Sequence, residues 1–343
     1  ESVYMVNIES SFQEARPKRG SFWFWQIKAL RINGLEYLNT SEMTHMNYMF
    51  NLGSNITSLD LSHFDTSKVT TMEYMFQNCK FTSLDLSHFD TGNVTDMRFM
   101  FRGCNKLRSL NLSGWDTGKV TTMFGMFYDC SLLNAVDVSH FNTQNVTSMG
   151  AMFYGCERLP AIDVSHFSTG QVTTMQKMFY NCKRVNTLDV SGWDTKNVEN
   201  MESLFDGCEY LNGIDVSGWN TGCVVNMSRL FRGCSSLTNL GVSGWDTHSA
   251  AHMGWMFYGC SNITQLNLSG WNTSHVWNMA SMFAYCNKLG RLDIGGWDTN
   301  QVEYMADMFR SCSVLPSLDV SHFNTSRAAE MTNMFRGCSA LTT

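Results

Sequence analysis

Met75-Phe76-Gln77-Asn78-Cys79 returns as Met100-Phe101-Arg102-Gly103-Cys104 and then every 26 residues as far as Met334-Phe335-Arg336-Gly337-Cys338, with Leu204-Phe205 and Leu230-Phe231 standing in twice for Met-Phe. A fixed period of a few tens of residues marks a repeat array in which each unit contacts only its neighbours. The residues upstream of the block repeat just as faithfully. Ile56-Thr57-Ser58-Leu59-Asp60-Leu61-Ser62 alternates apolar and polar side chains, the pattern of a strand with one buried face. Leu59 and Leu61 are expected inside and Asp60 outside. Phe64, a Trp in other units, precedes Asp65-Thr66, which reads as a turn and helix N-cap. Val69, Met72, Met75, Phe76 and Cys79 then fall at offsets 0, 3, 6, 7 and 10, one face of a short helix. Asn78 or Gly103 sits where a helix end takes a left-handed residue. Each unit is therefore expected to run strand, turn, short helix, turn, with parallel strands on one face and helices on the other. One spacing, Met75 to Met100, is 25; a one-residue loop deletion at Lys80-Phe81-Thr82 accounts for it without a break in the sheet.

The bulk numbers narrow the function. Although 343 residues suggest two ordinary domains, the repetition makes Met46 to Cys338 one array. A net charge of −6 and a pI near 5.8 lack the basic stripe of nucleic-acid binders, so no nucleic-acid partner is expected. No apolar run is long enough to cross a bilayer. Of 24 Met, 22 fall in two columns of the repeat, and of 12 Cys, eleven share one position. Side chains at one position of stacked units point the same way, so these thiols are expected buried and unpaired, acting as small hydrophobes. Cys223 lies off the column and is the one candidate for a reactive thiol. No cofactor or metal site is expected.

The string Leu84-Asp85-Leu86-Ser87-His88-Phe89-Asp90-Thr91-Gly92-Asn93-Val94-Thr95-Asp96-Met97, ending in Met100-Phe101 and Cys104, resembles the repeat of BspA-like surface proteins, which are leucine-rich-repeat-like. The resemblance covers roughly residues 38 to 341. It implies an α/β repeat solenoid, a right-handed leucine-rich-repeat-like coil with a parallel sheet on one face and short helices on the other. It also implies an extracellular or cell-surface protein that binds a macromolecule, a protein or a glycan, without catalysis, and it supplies no catalytic residues. The expected organisation is an N-terminal cap over residues 1–37, carrying an aromatic strand at Ser21-Phe22-Trp23-Phe24-Trp25-Gln26-Ile27. An array of about eleven repeats fills 38–343 and lacks a C-terminal cap.

The remaining columns can each be read as packing or as function. An exposed Asp column (Asp60, Asp85, Asp137 and their equivalents) either accepts hydrogen bonds from the nearby Ser or backbone, the favoured reading, or bridges Ca²⁺. His-Phe pairs such as His63-Phe64 alternate with Gly-Trp pairs such as Gly114-Trp115 and never mix, as if the two side chains shared one space. The unbroken Thr column, Thr66 to Thr325, reads as a capping turn; its regularity also raises ice binding as a third function. The column after Phe varies most and is rich in Tyr and Arg, the residues of binding hot spots. Tyr128, Tyr154, Tyr180, Tyr258, Arg102, Arg232, Arg310 and Arg336 are the candidate binding residues. The leading expectation is a surface or secreted recognition and adhesion module; the alternative is a scaffold subunit of a larger assembly.

Overall fold

The computed structural model describes residues 5–342. The chain forms two compact units, Glu1–Gln171 and Val172–Thr343. In the first, strands β1 (Met5–Asn7) and β2 (Arg31–Asn33) pair in parallel, as do β3 (Ser83–Asp85), β4 (Ser109–Asn111) and β5 (Ala135–Val136). Each pairing joins a residue to its equivalent one repeat later: Leu84 to Leu110, then Leu110 to Val136. In the second unit β6 (Gln265–Asn267) and β7 (Arg291–Asp293) pair in the same way. A second parallel ladder, of single bridges, runs Arg19–His45–Thr71–Asp96–Thr122–Ser148 in unit 1 and Thr174–Asn200–Asn226–His252–Asn278–Tyr304–Glu330 in unit 2. It crosses the 25-residue spacing without interruption, at Thr71–Asp96. Residues 56–61, expected as strand, have no strand pairing.

The expected helices are absent: the described residues contain no α-helix, only two 3₁₀ turns, Ser10–Glu14 and Leu35–Tyr37. The Met-x-x-Met-Phe segment is instead a chain of overlapping turns. The N–H groups of Met75, Gln77 and Cys79 donate to the carbonyls of Met72, Tyr74 and Phe76, three residues back, at 3.1–3.2 Å. The alternate N–H groups, of Met72, Tyr74, Phe76 and Asn78, donate to Asp96, Arg98, Met100 and Arg102 of the next repeat at 2.7–3.1 Å. Tyr74 and Asn78 have φ of 55° and 59°. A left-handed residue at every fourth position is incompatible with continuing a right-handed helix. The pattern recurs throughout, for example at Arg229 and Gly233 (φ 56° and 71°). Turns and helix present the same residues inward, since Met72, Met75, Phe76 and Cys79 are all fully buried. Offsets of three and four thus could not separate the two.

The aromatic segment Ser21–Ile27 is likewise turn and not strand. Phe22, Phe24 and Gln26 donate their N–H groups to Asn47, Met49 and Asn51, and Phe22 and Gln26 take φ of 62° and 55°. This is the same turn chain as in the later repeats, written with aromatic residues.

The core consists of columns. Phe50, Phe76, Phe101, Phe127 and Phe153 stack with ring centroids 5.4–5.8 Å apart and planes within 14°. Unit 2 adds an indole column, Trp193–Trp219–Trp245–Trp271–Trp297, at 6.1–6.4 Å. These are offset-stacked spacings. The column cysteines are free, and all but the half-buried Cys338 are buried. Their Sγ atoms donate to the preceding repeat's Phe carbonyl, as Cys104 does to Phe76 at 3.0 Å and Cys234 to Phe205 at 3.1 Å.

Candidate recognition surface

In the turn chain the residue after Phe is flanked by inward side chains, so its own side chain leaves the core at an angle and lies along the surface. The candidate residues are half-buried, except Arg336, which is exposed. In unit 1 Tyr128 and Tyr154 stack at 4.1 Å with planes 3° apart, and the Arg102 guanidinium lies 5.3 Å from the Tyr128 ring. In unit 2 Arg232 lies 5.5 Å from the Tyr258 ring, Tyr258 meets Tyr285 edge-on at 5.2 Å, and Arg310 covers Tyr285 at 5.4 Å. Tyr285 occupies the left-handed position (φ 64°). Arg232 is also 3.4 Å from Asp206, a buried carboxylate whose pKa is raised by burial and held back by that arginine. Tyr180 belongs to unit 2, so the eight residues fall into two separate groups.

Sequence reasoning missed four of the six rings in the unit 1 stripe. Phe22, Tyr48, Tyr74 and Phe99 stack in succession at 4.8, 4.7 and 4.9 Å, all at positive φ, a conformation that bulky residues rarely adopt. Phe99 then meets Tyr128 at 6.3 Å; it leans over Gly125, where a Cβ would sit 2.4 Å from its ring. The stripe therefore runs Phe22–Tyr48–Tyr74–Phe99–Tyr128–Tyr154. The signal was an aromatic residue immediately before Met-Phe in three successive repeats, Tyr48, Tyr74 and Phe99. Because the rings lie face to face, the stripe offers edges and hydroxyl groups more than open ring faces.

The other columns are structural. Asp60, Asp85, Asp137 and Asp215 accept the N–H of the Ser two residues on at 2.9–3.0 Å. These bonds, with that of the serine hydroxyl, hold each carboxyl below its ordinary value. No group of three or more His, Cys, Asp or Glu able to hold a metal occurs among the described residues. The Thr column is buried from Thr66 to Thr299, and its hydroxyls donate across to the next repeat, as Thr66 to Asp90 at 2.9 Å and Thr221 to Asp246 at 2.8 Å, while Thr325 is exposed. It presents no rank of hydroxyls to an ice lattice.

The His-Phe and Gly-Trp pairs share an acceptor. Indole Nε1 of Trp115, Trp245 and Trp297 donates to the carbonyls of Leu86, Val216 and Leu268 at 2.9–3.0 Å. In the other version His88, His140 and His322 place Nε2 on Leu61, Leu112 and Ile294, the same column, at 2.7–3.1 Å. A carbonyl only accepts, so Nε2 carries the proton. Each of these carbonyls also accepts the backbone N–H three residues on, as Leu86 does from Phe89 and Val216 from Trp219, so the side chain is a second donor that either neighbouring position supplies. Sterics reinforce the rule at Gly114, where a Cβ would stand 2.0 Å from the Ser87 oxygen, but not at Gly244, where nothing lies within 4 Å.

Four overlapping segments, residues 18–109, 79–188, 155–266 and 227–343, match the family described as Mycoplasma protein of unknown function, DUF285, and the chain belongs to that family. Among curated proteins none matches. A leucine-rich repeat protein from Bacteroides ovatus is similar in structure, with 17% identity over 92% of this chain and 78% of that one and a TM-score of 0.52. Another from Eubacterium ventriosum shares 16% identity over 94% and 86%, with a TM-score of 0.44. The first establishes a leucine-rich-repeat-like fold of repeated parallel strands. No catalytic family is indicated, and no helix among the described residues is long and apolar enough to cross a membrane.

Proposed function

We propose that the chain is a non-catalytic recognition module of the BspA-like kind, working outside the cell or at its surface and binding a macromolecular partner. The observation that carries this reading is the half-buried Tyr and Arg stripe. Its side chains vary from repeat to repeat, while nearly every position around them is spent on packing. Tyr and Arg dominate binding hot spots because they bury large, rigid, amphipathic area, and here stacking and cation–π contacts already hold them in place. A partner therefore binds an ordered surface and pays little side-chain entropy. Edges and hydroxyl groups favour a protein surface rich in hydrogen-bonding groups over a ligand that stacks on ring faces.

The test is capture from a panel of purified extracellular proteins by the full chain and by the unit 1 variant Tyr128→Ser with Tyr154→Ser. Loss of the captured species with an unchanged urea midpoint is expected. Undiminished capture by the variant would remove the stripe from consideration.

A further inference from the structure

We propose that the strand face of unit 2, around Gly241, is a second binding site, one that takes a short glycan segment of one or two sugar rings. An open groove of about 300 Å³ lies there, lined by Asn239, Gln265, Arg291 and Asp293 over Leu240 and Leu266. Strand register puts these side chains on a grid: Gln265 beside Arg291, and Asn267 beside Asp293. Asn239, Gln265 and Arg291 are exposed. None of the three makes a side-chain hydrogen bond or ion pair among the described residues.

The repeat breaks its own rule twice at this place. Gly241 stands where other repeats carry Asp or Asn, leaving a notch in the row. Gly295 stands where others carry Ser, so Asp293 accepts only a backbone N–H, at 3.2 Å. Asp189, Asp215 and Asp319 each accept a serine hydroxyl as well, at 2.7 Å. A carboxylate that takes a serine hydroxyl in other repeats is therefore left open beside three unpaired side chains.

Unit 1 holds a groove in the same columns, of about 400 Å³, which serves as an internal control. It is lined by the short side chains Ser58, Ser83 and Ser109, with Asp85 and Asn111 bound to the backbone N–H groups of Ser87 and Ser113. Neither space nor unpaired polar atoms alone distinguish unit 2, since the Ser58, Ser83 and Ser109 hydroxyls line the unit 1 groove too; its long amide and guanidinium side chains and the missing serine beside Asp293 do.

The chemistry suits sugar hydroxyl groups. Amides donate and accept, a guanidinium presents a planar fork of donors, and a half-used carboxylate accepts. Together they match the mixed donors and acceptors of adjacent hydroxyls. The groove has no aromatic lining and no deep apolar pocket to anchor a peptide side chain. Its volume is at the small end for ligand sites.

The experiment probes the full chain on an array of defined oligosaccharides, with overlapping peptides printed beside them. Wild type should bind at least one glycan class. Gly241→Asp with Gly295→Ser, which restores what other repeats carry, should lower that signal at least tenfold, and so should Gln265→Ala with Arg291→Ala. A Cβ at Gly295 meets nothing nearer than 3.5 Å, whereas one at Gly241 meets Ser217 Cβ at 3.2 Å and asks that residue to give by a few tenths of an ångström, so Gly295→Ser alone is the milder control. Ser83→Ala with Ser109→Ala, and the tyrosine variant of the stripe, should leave the signal unchanged; the latter separates this site from the stripe. No glycan bound by wild type, undiminished binding by both groove variants, or peptides alone bound through these residues would each overturn the assignment.

Discussion

The two units are built from the same repeat but donate differently to one carbonyl column. Unit 1 carries four His-Phe pairs and a single Gly-Trp, at Gly114-Trp115, whereas unit 2 carries five Gly-Trp pairs and one His-Phe, at His322-Phe323. The change falls between His166-Phe167 and Gly192-Trp193, on either side of the boundary at Gln171. Each version adds a second donor to a carbonyl that already accepts the backbone N–H three residues on, as Val216 does from Trp219, a bond worth about 0.5–1.5 kcal/mol. The indole does so while adding a ring to the core; the imidazole does so from the surface, beside a smaller Phe. Unit 2 consequently stacks five indoles in that column, where unit 1 buries the smaller rings Phe64, Phe89, Phe141 and Phe167 around Trp115.

The largest expected effect separates the units by their thiols. Unit 1 buries four column cysteines and unit 2 six. Burial raises their pKa values, to about 12 for Cys104 and Cys312. A native thiol that stays protonated while its unfolded counterpart ionises lends stability that is full below the ordinary value of about 8.5 and falls as pH rises toward the folded value. Each such thiol can remove up to about 1.4 kcal/mol per pH unit in that window. Urea midpoints followed by tryptophan fluorescence between pH 8 and 10 should fall, more steeply for the Trp-rich unit 2. Parallel loss in both units would break the comparison. Native-state alkylation near pH 8 should meanwhile label the exposed Cys223 and spare the buried column.

Next comes the shared core. Phe127→Ala in unit 1 and Phe231→Ala in unit 2 each remove a fully buried stacked ring and should cost about 3–5 kcal/mol by urea unfolding. Values differing widely between the two would mean that the indole column bears load the Phe column does not.

The donor exchange gives the sharpest test. Trp245→Phe should cost about 0.5–1.5 kcal/mol for the lost second hydrogen bond to the Val216 carbonyl, which keeps the Trp219 N–H. Adding Gly244→His should restore much of this, because a Cβ there is unobstructed. The corresponding swap in unit 1, Gly114→His with Trp115→Phe, should show no recovery, because the Cβ collides with Ser87. Recovery at both sites, or at neither, would remove the shared acceptor as the reason the pairs never mix. The smallest effect is expected on the exposed Asp turns: Ser139→Ala removes one hydroxyl bond to Asp137 and should change stability by about 0.5 kcal/mol or less.

Much of this arrangement was legible in the residues. The Met, Phe and Cys columns are buried as their spacing implied, the cysteines are unpaired, and the Asp column is held by the Ser two residues on. Asn78 and Gly103 take the left-handed conformation expected of them, with φ of 59° and 72°. The turn chain escaped notice because its second left-handed position is filled by residues as unlike as Tyr74, Ala151, Lys177 and Trp255, which carry no common signature. The aromatic run Ser21–Ile27 misled for the related reason that apolar alternation fits turns as well as strands. Of the candidate site, the Tyr and Arg column was found, but its continuation through Phe99 to Phe22 depends on ring contacts across repeats that no spacing encodes.

The sequence by itself determined which residues are inside, because a column repeated at one period meets the same neighbours in every unit that has a repeat on both sides. Only the tertiary structure decided how the backbone carries them. A helix would close its hydrogen bonds within the segment, whereas here alternate N–H groups of Met72–Asn78 find carbonyls one repeat away. Those acceptors exist only once the neighbouring repeat is in place. The same holds for the His and Trp donors, whose common target belongs to the preceding repeat.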